Sequence, residues 1–188
     1  MYLNKMKRIS LLTPFILILL IVSTACNSKS SLVSKINKSE AVIFSDSTAD
    51  PDNTKVKDLT DLYLKYADNY PEDTLSAEYL FKAADLFIYL RDFRSTLTMF
   101  DRIQTKYPLF SKLDKTYFLK AFIYEQHLNE PEKAAELYRQ FITKFPKSEL
   151  ADDASQALLF VGKSDAEIMQ MLNERAADST LQTQTPAQ

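Results

Sequence analysis

Apolar residues recur every three or four positions along most of the chain and predict seven consecutive helices. The first stripe contains Leu59, Leu62, Tyr63, Tyr66 and Tyr70, which would lie on one face of a helix. The other six stripes have the same spacing and span Leu80–Ile88, Leu97–Tyr107, Leu113–Leu128, Leu137–Phe145, Ala151–Val161 and Ile168–Leu172. The segments between stripes are short, which favours antiparallel neighbours. The sequence therefore predicts an all-α stack of antiparallel helix pairs.

Residue types that start and stop helices flank these stripes. Asn129 and Ser164 are each followed three positions later by Glu, as in a capping box. Asp92 and Ser148 are further predicted N-caps. The only glycine, Gly162, lies between two stripes, where a left-handed C-cap is expected.

Three aromatic–proline pairs divide the helical region at nearly equal intervals. They are Tyr70-Pro71, Tyr107-Pro108 and Phe145-Pro146, separated by 37 and 38 residues. Proline cannot continue a helix, so each pair predicts a helix end. A fixed period of this length indicates a repeat array whose units bury their apolar faces by stacking on neighbours.

Aligning the repeats on these prolines brings three sets of positions into register. The sets are Leu59, Thr96 and Ala134; Tyr63, Phe100 and Tyr138; and Tyr66, Ile103 and Phe141. Together with the segment 134–148, followed by Ala151 and Ala154, this pattern resembles a tetratricopeptide repeat, of the variety typical of bacterial envelope lipoproteins. The turn glycine of that repeat is absent from the first two full repeats. The resemblance covers roughly residues 56–174 and implies a right-handed α-solenoid of about seven helices.

The N-terminus has the features of a secretory signal. Three basic residues lie within the first eight positions, and an apolar run of about 12 residues follows at 11–22. Ser23-Thr24-Ala25-Cys26 then resembles a lipobox, with Ser23 where Leu is usual. The interpretation is a signal peptide at 1–25 and a lipid on Cys26. Alternatives are an uncleaved single-pass anchor, a soluble protein with a chance cysteine, and a start at Met6 instead of Met1.

The regions that flank the repeats are polar. Residues 26–54 are predicted to form a lipidated flexible tether, although the apolar island 41–44 could instead dock on the repeats. Residues 55–174 would be the repeat domain, and 175–188 a disordered polar tail. No acidic cluster follows Cys26, so the expected location is the bacterial cell envelope, on the outer membrane facing the periplasm.

Composition argues against several classes of function. All but three of the 23 basic residues lie after position 25, together with all 25 acidic residues, and no basic run stands out. Nucleic-acid binding is therefore not expected. A single cysteine excludes an internal disulfide and a thiolate zinc site, and no cofactor or metal is expected. The lone histidine, His127, is interpreted as a surface residue, because no nucleophile or orienting partner is evident.

The resemblance implies that the first helix of each pair lines a concave, partner-binding face. The candidate partner-binding residues are Phe81, Asp85, Ile88, Tyr89, Leu119, Ile123, Gln126 and His127. The acidic pairs Asp152-Asp153 and Glu130/Glu132 are interpreted as helix N-terminal charges and not as catalytic carboxylates.

The resulting hypothesis is a non-enzymatic scaffold or adaptor that binds protein partners and is held on a membrane through Cys26. The alternative is a small-molecule or glycan-binding lipoprotein of a nutrient-uptake system. The first predicted helix has no partner within the repeats, so a homodimer formed through it remains an open alternative.

Overall fold

The computed structural model describes the backbone of residues 28–45 and 50–183, which forms eight α-helices and no strand. The helices are α1 (residues 28–43), α2 (Asn53–Asn69), α3 (Thr74–Tyr89), α4 (Phe93–Lys106), α5 (Leu113–Gln126), α6 (Pro131–Lys144), α7 (Ala151–Phe160) and α8 (Asp165–Thr183). The all-α prediction is confirmed, and each of the seven predicted helices is present as one of α2–α8. The chain divides into two compact units between Met99 and Phe100, within α4.

Helix α1 corrects the prediction of a flexible tether at 26–54. Leu32, Ile36 and Ile43 lie on one side of α1 and are at most 8% exposed. Their spacing of four and seven residues places them on a single face of the helix. The apolar island 41–44 therefore does dock, through Ile43. Residues 1–27 and 46–49 lie outside the described part of the chain.

Two clusters of polar side chains hold α1 against α2 and the start and middle of α3. The Lys29 ammonium donates to the Asp73 carboxylate just before α3. Near the other end of α1, the Glu40 carboxylate accepts from the Tyr63 hydroxyl of α2 at 2.6 Å. It also accepts from the Lys82 ammonium of α3 at 2.7 Å. Helix α2 thus has a partner in α1, and the argument for a homodimer through an unmatched first helix no longer holds.

Tyrosine rings dominate the core of the first unit. Tyr63 stacks on Tyr79 with ring centroids 5.3 Å apart, and Tyr66 meets Tyr79 edge-on at 4.6 Å. Such aromatic pairs contribute about 0.5–1.5 kcal/mol beyond the burial of their area. Around them Leu59 and Leu80 are fully buried, so α2 and α3 share a continuous apolar interface.

Helices α5, α6 and α7 form the core of the second unit. Tyr138 and Phe141 of α6 are fully buried among Ala121 of α5, Ala134 of α6 and Ala154 of α7. The small side chains let the helix axes approach closely enough for the rings to fill the space between them.

Burial confirms the alignment of the repeats. The nine aligned positions described above, from Leu59 to Phe141, are each at most 1% exposed. Nine sites chosen by spacing alone are therefore all core positions, as the repeat pattern predicts.

The aromatic–proline pairs form the same turn three times. The amides of Tyr70, Tyr107 and Phe145 donate to the carbonyls four residues earlier, at 2.8–2.9 Å. The carbonyls of these aromatic residues then accept from the amide three positions later, at 3.0 Å in every case. The prediction that each pair closes a helix is confirmed.

Two predicted N-caps and one predicted C-cap are confirmed. Ser164 and Glu167 form a capping box, in which the Glu167 carboxylate accepts from the Ser164 amide at 2.7 Å. The Asp92 carboxylate accepts from the Ser95 amide at 3.1 Å at the start of α4. Gly162 has φ = 76°, as a left-handed C-cap requires.

Two other predicted caps are wrong. Asn129 does not cap α6, because its φ of 54° makes it the left-handed residue that ends α5. Ser148 lies in the turn before α7, whose N-cap is Leu150. The Ser148 hydroxyl donates instead to Asp114 at 2.6 Å.

The C-terminal helix extends beyond its predicted end. The sequence predicts a disordered tail from residue 175, but α8 continues to Thr183. The chain contains neither Gly nor Pro between positions 163 and 185, so no residue interrupts the helix there. None of the residues 165–176 is buried.

Candidate partner-binding surfaces

The four candidate residues on α3 differ in accessibility. Asp85 and Tyr89 are exposed and Ile88 is half-buried. The Tyr89 hydroxyl donates to the carbonyl of Pro51 at 3.1 Å, which ties the end of α3 to the segment before α2. Phe81 is only 8% exposed, so it offers little surface to a partner.

Helix α5 shows a similar division. Gln126 and His127 are exposed and Leu119 is half-buried, whereas Ile123 is 1% exposed and cannot contact a partner directly. The repeat alignment fixes which residues share a helix face. It does not show which of them are covered by neighbouring helices, and large apolar side chains such as Phe81 and Ile123 favour the covered positions.

Phe122 is an exposed aromatic residue that the sequence interpretation missed. Its side chain is 39% exposed, and its ring meets the His127 ring edge-on with centroids 6.0 Å apart. Position 122 follows Leu119 by three and precedes Gln126 by four, so helical spacing could have identified it. We call Leu119, Phe122, Gln126 and His127 the α5 surface.

A cleft of about 540 Å³ lies in the second unit between two successive aromatic–proline turns, at residues 108–114 and 144–148. Leu109 stands at its edge with 97% of its surface exposed. The matching positions in the other two turns are Glu72 and Lys147, which are polar. The apolar residue at position 109 could therefore have been recognised from the sequence as an unusual, exposed one.

Three of the polar side chains that line the cleft already have hydrogen-bond partners. Asp114 accepts from Ser148 at 2.6 Å. The Lys144 ammonium lies 2.5 Å from the Tyr117 hydroxyl and 4.3 Å from the centre of that ring. With Leu109 exposed at its edge, the cleft is suited to accept an apolar side chain.

Two carboxylates with a perturbed pKa, Glu40 and Asp73, lie where helices pack. Burial raises the pKa of Glu40, but the hydrogen bonds from Lys82 and Tyr63 outweigh it, so the net pKa is below the ordinary value. The hydrogen bond from Lys29 lowers the pKa of Asp73, and the Leu75 amide adds to this. These carboxylates join helices, which is a structural role.

A second Tyr–Glu pair occupies the equivalent place in the second unit. The Tyr138 hydroxyl of α6 donates to Glu125 of α5 at 2.8 Å. Burial, followed by this hydrogen bond, raises the pKa of Tyr138 well above its usual range. The same causes act on Tyr63, whose acceptor is Glu40.

Other candidate chemistry is limited in the described part of the chain. Asp152 and Asp153 lie in the first turn of α7, and Glu132 in that of α6, where they face the positive end of a helix dipole. Residues 28–45 and 50–183 contain no group of three or more His, Cys, Asp or Glu side chains arranged to hold a metal ion. No helix among them combines the length and apolarity needed to span a membrane. Cys26 lies outside the described residues.

Comparison with known families identifies the repeats. The sequence model of the tetratricopeptide repeat family matches residues 78–109 and 115–148. The first match covers most of α3 and all of α4, and the second covers most of α5 and all of α6. No curated protein matches the chain. Two segments of the chain are thus similar to tetratricopeptide repeats, and the described helices α1–α8 have the all-α architecture of a tetratricopeptide-type α-solenoid.

Proposed function

We propose that this protein is a membrane-anchored, non-enzymatic adaptor that binds protein partners in the bacterial envelope. Tetratricopeptide repeats generally mediate protein–protein interaction, and the match to two of them is the observation that carries the proposal. The comparisons indicate no catalytic family. The anchor would be a lipid on Cys26, and the location the periplasmic side of the outer membrane.

The α5 surface supports protein binding. An exposed aromatic ring, a half-buried leucine and an exposed amide lie side by side on one repeat helix. Aromatic residues dominate the energetics of protein interfaces, whereas polar groups around them give direction. This combination suits an amphipathic helix or an extended peptide.

The test compares partners captured by the wild-type protein and by the variant Phe122→Glu. Because Phe122 is exposed, this variant should keep its circular dichroism spectrum and lose its partners. Thr143→Glu, at an exposed site on α6, is the matched control and should retain them. Recovery of the same partners with all three proteins would show that the α5 surface is not the binding site.

The anchor is tested separately by membrane fractionation. Cys26→Ser should move the protein from the membrane to the soluble fraction, because several acyl chains provide stable anchoring and none would remain. A variant that stays in the membrane fraction would contradict lipidation. The nutrient-uptake alternative gains no support, since three of the polar side chains that line the cleft at residues 108–114 and 144–148 are already hydrogen-bonded.

A further inference from the structure

Helix α1 has one outward face that is basic and free of acidic residues. Ser31, Lys35, Lys38 and Val42 are spaced by four, three and four positions, and all are exposed. We call them the α1 outer face. The only acid of α1, Glu40, points inward to Tyr63 and Lys82, so it does not neutralise this face.

The end of this face is apolar as well as basic. Val42 and Phe44 are 53% and 60% exposed. Val42 lines a shallow depression together with Lys38 and Lys55, and Asp58 is the acid beside them. Exposed apolar side chains flanked by lysines are typical of protein surfaces that rest on lipid headgroups.

The position of α1 in the chain points to the same surface. Only residue 27 separates Cys26 from the start of α1 at residue 28. A lipid on Cys26 would therefore hold α1 beside the bilayer, without the flexible spacer that the sequence predicted. Because Leu32, Ile36 and Ile43 bury a second face of α1, about 110° around the helix, α2 and α3 would be held there with it.

We propose that the α1 outer face lies on the anionic headgroups of the membrane and orients the repeats above it. This inference rests on the proposed lipid anchor. Each lysine near an anionic surface favours binding about fivefold, which is too little for two lysines to recruit a free protein. For a protein that is already anchored, a bias of about 25-fold from Lys35 and Lys38 is enough to select one orientation.

The experiment uses the full-length, membrane-bound protein with a fluorophore on a single introduced thiol. Cys26 is the only cysteine, so a lipid on it leaves Val42→Cys as the sole site for labelling. Asn37→Cys is the matched control, because it is exposed on the same helix and about 140° around it from Val42. The vesicles contain phosphatidylglycerol and a lipid with a spin label in its headgroup.

The label at position 42 should be quenched at least twofold more than the label at position 37. The double substitution Lys35→Glu and Lys38→Glu should abolish that difference while the protein remains membrane-bound, and 1 M salt should reduce it. Equal quenching at the two positions would overturn the proposal. Protection of position 42 from a water-soluble quencher without quenching by the lipid would also overturn it, because a protein would then cover this face.

The outcomes separate this inference from the proposed anchor. If Cys26→Ser leaves the protein on membranes, lipidation is wrong and the inference falls with it. If Cys26→Ser releases the protein but positions 42 and 37 are quenched equally, the anchor stands and only the orientation is wrong.

Discussion

Removal of the Glu40 carboxylate should loosen helix α1 from the first repeat unit. The Tyr63 hydroxyl donates to this carboxylate at 2.6 Å, and a hydrogen bond to a charged group contributes about 1.5–3 kcal/mol. The Lys82 ion pair adds at most about 0.5 kcal/mol, because 39% of the lysine side chain is exposed and water screens the pair. Partial desolvation of the carboxylate offsets some of this gain. We therefore expect Glu40→Ala to lower the free energy of unfolding by about 2 kcal/mol, and Glu40→Gln by about 1 kcal/mol.

This contribution should depend on pH with a defined sign. The pKa of Glu40 in the folded protein lies below its ordinary value of 4.5. A carboxyl group with a lowered pKa stabilises the fold above the unfolded pKa and loses this effect as pH falls through the folded pKa. The difference between wild type and Glu40→Gln should be constant from about pH 6 to 8 and shrink below about pH 4.5.

Hydrogen exchange measured by mass spectrometry is the best assay, because helices in repeat proteins can open separately. Amides of α1 should exchange faster in Glu40→Ala, whereas amides of α6 should not change. Combining Glu40→Ala with Tyr63→Phe gives a double-mutant cycle, in which a coupling of about 1 kcal/mol is expected. Unchanged exchange in α1, or strictly additive effects, would refute the view that this cluster holds α1 in place.

Four further substitutions test the backbone, the core and a helix cap. Arg91 has φ = 59°, so Arg91→Gly should raise the free energy of unfolding, measured in urea, by about 0.5 kcal/mol. Asn129→Gly, at φ = 54°, should have little effect, because Asn tolerates this conformation. Equal effects of the two substitutions would contradict this account. Phe100→Tyr should destabilise by about 1–3 kcal/mol, because it adds a hydroxyl at a fully buried position; wild-type stability would mean that a partner is available there. Ser164→Ala should lower the free energy of unfolding by about 1 kcal/mol and speed amide exchange at the start of α8. Unchanged exchange would show that the capping box has no effect on α8.

Helices α2–α8 could be predicted from the sequence because their apolar stripes are long and regular. Core positions such as Leu59, Phe100 and Phe141 follow from the spacing alone, since a helix of fixed pitch must place them on one face. The aromatic–proline turns were equally predictable, because proline removes an amide donor and thereby ends the helix.

Helix α1 could not be predicted in the same way. Its buried face has only Leu32, Ile36 and Ile43 among many serines and lysines, so its composition is close to that of a linker. Part of its docking depends on Lys29 and Glu40, whose partners are more than 20 positions away in the sequence. Hydrophobic periodicity carries no information about such distant polar contacts.

The candidate surfaces were predicted only in part. The sequence nominated α5 as a candidate partner-binding helix but gave Ile123 and Gln126 equal weight, although one is buried and the other exposed. Exposure depends on the helices packed alongside, which a single repeat does not specify. Phe122 and Leu109 were overlooked because an apolar residue in a sequence is assigned to the core by default.

The Tyr–Glu pairs show how one repeat can differ chemically from the next and keep the same fold. Tyrosine occupies the central position of α2 and α6, and in both cases the preceding helix supplies a glutamate as acceptor. In α4 the same position is Phe100, and the residue 38 positions before Glu125 is Phe87. Replacing both partners by apolar groups changes the free energy of unfolding little, whereas replacing only one leaves the other polar group buried without its hydrogen bond. A tyrosine at position 100 would have Phe87, and not a glutamate, at the place that Glu125 holds in α5, which explains why Phe100→Tyr is expected to be costly although tyrosine is present at both equivalent positions.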